Sequence, residues 1–261
     1  TVHQAAAYDN RQRQPIGRAP SYPDAELERA KSICAQAVAD RGPGWLTTEE
    51  TRALLTAMKL PVVEGHLATT AKDAVTIADD IGFPVAVKLA SRTILHKTEV
   101  GGVHLNLADK QAVRAAFDAI RTRLGQEKKL DAMEGVLVQP MVSEGVEVMA
   151  GMTRDPLFGP LIAFGLGGIH VEILGDVQFR VAPLTDHDAN EMVKGIKGHR
   201  LLQGYRGTAA ADMKALEEIL LRISRLVETI PEISQLDMNP VFALAQGRGC
   251  RIVDARIRIS G

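Results

Sequence analysis

The stretch that most constrains this chain is residues 84–105, PVAVKLASRTILHKTEVGGVHL. Its short apolar run, residues 84–87, predicts a strand that ends on Lys88. A loop with His96 and Lys97 follows, then Gly101 and Gly102, then an alternating run at 103–107 that predicts a returning strand. A lysine closing an apolar strand is expensive to bury unless it meets an anion, and phosphate is the obvious one; the plainer reading has it emerge at the sheet edge. An imidazole in the next loop titrates near neutrality and is a nucleophile toward phosphorus. A lone loop histidine is otherwise a surface or structural residue. The stretch therefore points to a phosphorylated ligand held beside strands, with the rest of the chain supplying the other walls.

Around it the pattern predicts alternating helices and strands. Residues 26–40 read as a helix stopped by RGPG at 41–44, and Thr47 with Glu50 reads as the capping box of a second helix. Residues 60–63 read as a brief strand, 71–81 as a helix capped by Thr69 or Thr70, and 110–124 as a helix capped by Asp109. This alternation favours an α/β sheet over a bundle. Residues 1–22 lack apolar periodicity and read as a tail or linker; a first lobe is expected over 23–126, a hinge at 126–131 and a second lobe over 130–261. In the second lobe, strands are expected at 136–139, 146–152, 160–164 and 177–182. Residues 165–168 (GLGG) turn the chain into 170–173. Helices are expected at 186–194 and 213–229, and a closing strand pair at 233–244 and 251–259.

Bulk properties exclude several functions. Formal net charge is −1, so nothing favours a nucleic-acid partner electrostatically. No apolar run approaches the ~20 residues of a membrane span, and no signal-peptide pattern is present. Cys34 and Cys250 are far apart and outside any C-x-x-C arrangement, which suits a reducing, cytoplasmic setting. The chain begins at Thr1 and reads as a processed or excised piece of something longer.

Other candidates lie further on. Asp237 and Asn239 share one face of the strand starting at 233, and the partner strand returns Asp254 to them, with Arg256 beside it. Hard oxygen ligands on an otherwise apolar strand pair suit Mg²⁺ bound through nucleotide phosphates, against the alternative of a hairpin's solvent face. The GLGG turn at 165–168 can aim backbone donors at a phosphate, or simply be a tight turn. Glu147 and Gln139 either line a nucleotide cleft or are exposed. Among seven histidines there is no H-E-x-x-H or Cys/His cluster, which leaves zinc a weak reading.

Taken together, ILHKTEVGGV (94–103), GMTRDPLFGPLIAFGLGGIHVE (151–172), FRVAPL (179–184), QLDMNPV (235–241) and VDARI (253–257) resemble the ATP-grasp fold. They most resemble the nucleotide-binding part of the nucleoside-diphosphate-forming acyl-CoA synthetases, the superfamily of ADP-forming acetyl-CoA synthetase and succinyl-CoA synthetase. The resemblance covers about residues 26–259 and implies two lobes clamping ATP/ADP with Mg²⁺. It implies that Lys88 holds the nucleotide phosphates and that His96 relays the phosphoryl group. Val138, Gln139 and Met141 resemble the adenine-holding segment, with Glu147 facing the nucleotide. Asn239 and Asp254 resemble the Mg²⁺ ligands, supported by Asp237; Gly167 and Gly168 resemble the phosphate-side turn, and Arg180 in FRVAPL assists phosphate charge. The implied reaction is acid + CoA + ATP ⇌ acyl-CoA + ADP + phosphate. The chain has no glycine-rich CoA-binding segment, so the resemblance implies a CoA-binding α-type subunit or fused N-terminal domain as partner in a hetero-oligomer or dimer. An ATP-grasp carboxylate ligase using a direct acyl phosphate, or a non-catalytic ATP-sensing module of a fused acyltransferase, are the alternatives.

Overall fold

The computed structural model describes residues 17–94, 96–168, 175–204, 207 and 209–260. Helix α1 (Leu27–Arg41), strand β1 (Gly44–Trp45) and helix α2 (Thr48–Ala57) are the first elements of the described chain. Thr47 starts α2 with a reciprocal cap: its hydroxyl accepts from the Glu50 amide at 3.1 Å, and the Glu50 carboxylate accepts from the Thr47 amide at 2.8 Å.

A four-stranded antiparallel sheet follows, in spatial order β2 (His66–Ala68), β5 (Gly135–Pro140), β3 (Val85–Ala90), β4 (Val103–Leu107). Helices α3 (Ala71–Ile81) and α4 (Lys110–Gln126), capped by Thr70 and Asp109, cover one of its faces. Val85, Val87 and Leu89 of β3 join Val136 and Val138 of β5 in that core, against Ala74, Ala78, Val113, Phe117, Ile120 and Leu124. Every residue of β3 is buried, so its second face is covered as well.

The larger antiparallel sheet runs β1, β11 (Ala255–Ile259), β9 (Ile233–Ala243), β6 (Val146–Asp155), β7 (Gly159–Leu166), β8 (Val177–Val181), with β10 (Cys250–Ile252) paired to the far end of β9. Helix α5 (Asp186–Gly195), short α6 (His199–Leu202) and long α7 (Met213–Thr229) back one face of it. The α7 stripe of Leu216, Ile219, Leu220, Ile223, Leu226 and Val227 is buried in one core with Val148, Ile162, Phe164, Leu236 and Met238. Each such side chain contributes about 1.5–3 kcal/mol on burial. That fixes which face of the sheet is closed, and leaves the alternate residues for a ligand.

Packing redraws the expected lobes. Ala30, Cys34 and Ala37 of α1 and Leu54 and Leu55 of α2 belong to the large core, and β1 pairs with β11 through Gly44↔Ile259 and Trp45↔Arg258. The expected first lobe of 23–126 is thus divided, because an amphipathic stripe does not say which sheet will cover it. The expected hinge at 126–131 lies inside the small lobe: a 3₁₀ turn at Leu130–Ala132 leads straight into β5, the inner strand between β2 and β3. The chain crosses to the large sheet only after Pro140. Residues 60–63 form an isolated Val62↔Ile252 bridge rather than a strand, and the strand comes later, at β2. Of the expected tail, residues 17–22 lie against α5 and α7. The Arg18 amide donates to Asp186 at 2.8 Å, and the Arg222 guanidinium sits 4.3 Å from the Tyr22 ring centre. The stretch 170–173 lies outside the described residues.

Candidate functional site

The alternation of β3 decides the site. With its valines and leucine in the helical core, Lys88 is turned to the opposite side, where it is 5% exposed. Its Nζ donates to the Val253 carbonyl at 3.2 Å. Burial pulls its pKa down from 10.5 to about 8; Asp254 opposes the shift and Lys97 adds to it. A buried ammonium that donates to a main-chain carbonyl, with the nearest carboxylate already engaged by Lys97, favours a site that expects an anion.

Lys88 opens onto a cleft of about 270 Å³ between the two sheets, whose lining includes Thr98, Met141, Glu147, Asn239 and Asp254. Three larger hollows, of about 660 Å³ beside Glu64 and Asp80, about 550 Å³ beside Cys34 and about 380 Å³ beside Glu144 and Arg248, do not bring a buried lysine to facing oxygen ligands. The cleft is therefore the candidate site despite its smaller size. Its floor comes from a break in the ladder. β10 and β11 are separate strands, and Val253 and Asp254 stand between them. At the break, the Asn239 amide donates to the Asp254 carbonyl at 3.1 Å, so the two residues lie side by side.

Asn239 and Asp254 offer an amide oxygen and a carboxylate, hard donors of the kind Mg²⁺ accepts. Among the described residues no group of three or more His, Cys, Asp and Glu could hold a metal ion. This pair therefore fits an ion that brings phosphate oxygens and water with it, as Mg²⁺ does with a nucleotide. Asp237 is placed differently: it accepts from Arg256 Nη2 at 2.8 Å and lies outside the cleft lining.

Other expected residues divide in the same way. Met141 and Glu147 line the cleft. Val138 is fully buried in the helical core, so the strand turns its side chain away from the cleft. Gln139 is 1% exposed and sits in the seam behind the cleft; its Nε2 donates to the Val253 carbonyl at 3.3 Å and its Oε1 has no partner. Gly167 is packed tightly on Glu147: a Cβ there would lie 2.6 Å from Glu147 Cγ. Its amide already donates to the Glu147 carbonyl at 2.9 Å and is spent on the fold. Gly168, at φ +63°, takes the left-handed turn that follows. Arg180 lies on edge strand β8, donating to the Phe179 carbonyl at 3.0 Å and standing 3.9 Å from Glu191 of α5, away from the cleft lining.

His96 is solvent-facing, with a side chain 73% exposed and Nδ1 4.0 Å from Glu99. Its neighbour Lys97 turns inward instead, placing Nζ 3.0 and 3.1 Å from the two Asp254 carboxylate oxygens. Gly102 lets this loop close onto β3, since a Cβ there would come within 2.9 Å of both Leu89 Cβ and the Lys97 carbonyl. Lys97 and the Val253 carbonyl are the participants that sequence reasoning missed. Lys97 was visible only as the partner of His96 in the motif, and a carbonyl exposed by a ladder break has no side-chain signature.

A two-lobed cleft with a buried lysine on one wall and Asn/Asp oxygens on the other defines an ATP-grasp protein. The ATP-grasp domain family model matches residues 37–259. The chain is 42% identical over 213 residues to the acetate–CoA ligase [ADP-forming] II subunit beta of Pyrococcus furiosus, covering 81% of this chain and 90% of that one. It is 42% identical over 229 residues to the 4-hydroxybutyrate–CoA ligase [ADP-forming] of Nitrosopumilus maritimus, covering 88% of this chain but 33% of that one. Among solved structures, the dinucleotide-forming acetyl-coenzyme A synthetase 1 of Ca. Korarchaeum cryptofilum with coenzyme A and Ca-AMPCP superposes with a TM-score of 0.81 at 38% identity, over 86% of this chain and 97% of that one. The same synthetase with coenzyme A and Mg-AMPPCP, its phosphohistidine segment pointing towards the nucleotide-binding site, gives 0.74 at 36% identity, over 88% and 99%. The chain belongs to the ATP-grasp domain family, in the branch formed by the β subunits of ADP-forming acyl-CoA ligases. It spans about a third of the length of the longer relatives it matches.

Proposed function

We propose that this chain is the nucleotide-binding, phosphoryl-transferring part of an ADP-forming acyl-CoA ligase. The observation that carries the reading is Lys88, buried at 5% exposure and opening onto the same cleft as Asn239 and Asp254, with His96 eight residues further along the chain. ATP phosphates would supply the anion that Lys88 lacks. Mg²⁺, held by Asn239 and Asp254, would offset charge on those phosphates. Met141 and Glu147 would receive the nucleoside end.

The loop brings His96 to the terminal phosphate. One nitrogen of its neutral imidazole attacks the γ-phosphorus. The bond from that phosphorus to the β,γ-bridging oxygen breaks, ADP leaves with the electron pair, and a phosphohistidine remains. Lys88 neutralises charge that builds on the departing ADP. The phosphoryl group would then pass to an acid and CoA site on a CoA-binding α-type subunit or fused domain, completing acid + CoA + ATP ⇌ acyl-CoA + ADP + phosphate. Both cysteines are buried free thiols, which suits a cytoplasmic setting; no helix among the described residues is long and apolar enough to cross a membrane.

A direct carboxylate ligase would use the same cleft without His96, and the outward position of that side chain is what favours it. Labelling with γ-labelled ATP separates the two. The proposal expects acid-labile, base-stable label on the protein, abolished by His96→Ala and by omission of Mg²⁺. No label at saturating nucleotide with the CoA-binding partner present would overturn it.

A further inference from the structure

Lys97 occupies both carboxylate oxygens of Asp254, at 3.0 and 3.1 Å, where the proposed metal would need one of them. The pair is sheltered: Lys97 is 10% exposed and Asp254 27%. An ammonium and a divalent cation cannot share one carboxylate at such distances without strong like-charge repulsion, in a cleft where Lys88 already carries a second buried cation. Lys97 also follows His96 directly in the chain. Its carbonyl accepts from the Gly102 amide at 2.7 Å, and the Gly102 carbonyl accepts from Leu89 at 2.7 Å, so one end of the histidine loop is tied to β3. Val100 adds an apolar anchor in the small core, and the tie nearest His96 is the ion pair to Asp254, 157 residues away.

We infer that Lys97 is a positioning residue, a resident cation that latches the His96 loop to Asp254 until a metal ion arriving with the nucleotide displaces it. This rests on the metal–nucleotide reading of the cleft and adds a coupling to it. In the latched state His96 points to solvent. When the metal takes the carboxylate, the loop loses its distal tie and His96 becomes free to approach the phosphates. By linkage, whatever Lys97 contributes to holding the loop also opposes the metal.

The test uses Mn²⁺ as the ion and a non-hydrolysable ATP analogue, with the paramagnetic resonance signal counting free Mn²⁺ and hydrogen exchange following amides 98–102. In the unaltered chain, Mn²⁺ with the analogue should speed exchange in 98–102. In Lys97→Met the same amides should exchange fast before any metal is added, and the apparent dissociation constant for Mn²⁺ should fall about fivefold, the range of a partly exposed ion pair. Lys97→Arg, which keeps a cation at the carboxylate, should hold the Mn²⁺ constant at or above its original value. Exchange indifferent to metal, or a Mn²⁺ constant unchanged or raised in Lys97→Met, overturns the latch while leaving the site reading intact. If the unaltered chain binds the analogue with no dependence on Mn²⁺, the metal reading falls and the latch with it.

Discussion

Lys88 and the loop carrying His96 are consecutive in sequence, yet the first is 5% exposed and pinned between two paired strands while the second holds up a side chain 73% exposed. Lys88 has its position set by the ladder and by the valines that alternate with it. The His96 side chain has neither: its main-chain carbonyl accepts from the Glu99 amide, and it is Lys97 beside it that is held inward. Under the proposed function the contrast separates two jobs. A group that binds phosphate gains from a rigid, dry position, whereas a group that must receive phosphate in one place and release it in another gains from a loop.

Replacing the exposed loop group should have the largest effect. His96→Ala, assayed with the CoA-binding partner, should cut acyl-CoA formation by roughly a thousandfold or more while a calorimetric nucleotide dissociation constant moves by less than about twofold. A variant that keeps its rate would show that the loop does not carry the transfer, and the contrast would fail.

Replacing the fixed group should do the reverse. Lys88→Met should weaken nucleotide binding by roughly ten- to a hundredfold, the span of a charge-assisted hydrogen bond. It should also make the nucleotide-free protein more stable. The folded-state pKa is lowered to about 8, so below pH 8 the buried ammonium costs stability, of order 3 kcal/mol, and the cost fades as pH rises from 8 to 10.5. Urea midpoints of the variant and the parent should therefore differ most at or below pH 8 and converge above it. Nucleotide binding by the parent should weaken as pH climbs through 8, because the ammonium is what the phosphates need.

Two smaller effects sharpen the boundary of the site. Gly167→Ala drives a methyl to within 2.6 Å of Glu147 Cγ and should cost about 1–3 kcal/mol in urea unfolding, with weaker nucleotide binding as Glu147 shifts. Asp237→Asn removes a partly exposed ion pair to Arg256 and should cost less than about 1 kcal/mol. It should leave the Mg²⁺ requirement within about twofold, where Asp254→Asn raises it by roughly tenfold or more. An equal rise in both would return Asp237 to the metal.

Much of this was legible beforehand. The caps at Thr47, Thr70 and Asp109 and the α7 stripe are local signals, and the structure keeps them; the strand expected to end on Lys88 is there too, but it runs on to Ala90 and leaves the lysine inside it. Motif order also pointed to the ATP-grasp fold. What escaped depended on contacts between distant segments. The inner strands β3 and β5 of the small sheet are buried on both faces, so the sequence pattern alone could not say that Val138 turns to the helices and Gln139 to the seam. A helix stripe could not tell α1 and α2 which sheet they would meet. The ladder break at 253–254 reads as one continuous strand until its register with β9 is known. The commitment of the Gly167 amide is invisible without Glu147 beside it.

On the proposed function, His96 takes the terminal phosphoryl group from a bound nucleotide before any acid or CoA takes part. A two-stage transfer of this kind lets the protein exchange labelled ADP into ATP in the absence of acid and CoA. With Mg²⁺ and the CoA-binding partner present, exchange is expected in the unaltered chain and none in His96→Ala. Tight nucleotide binding without exchange, or exchange that survives His96→Ala, would contradict it.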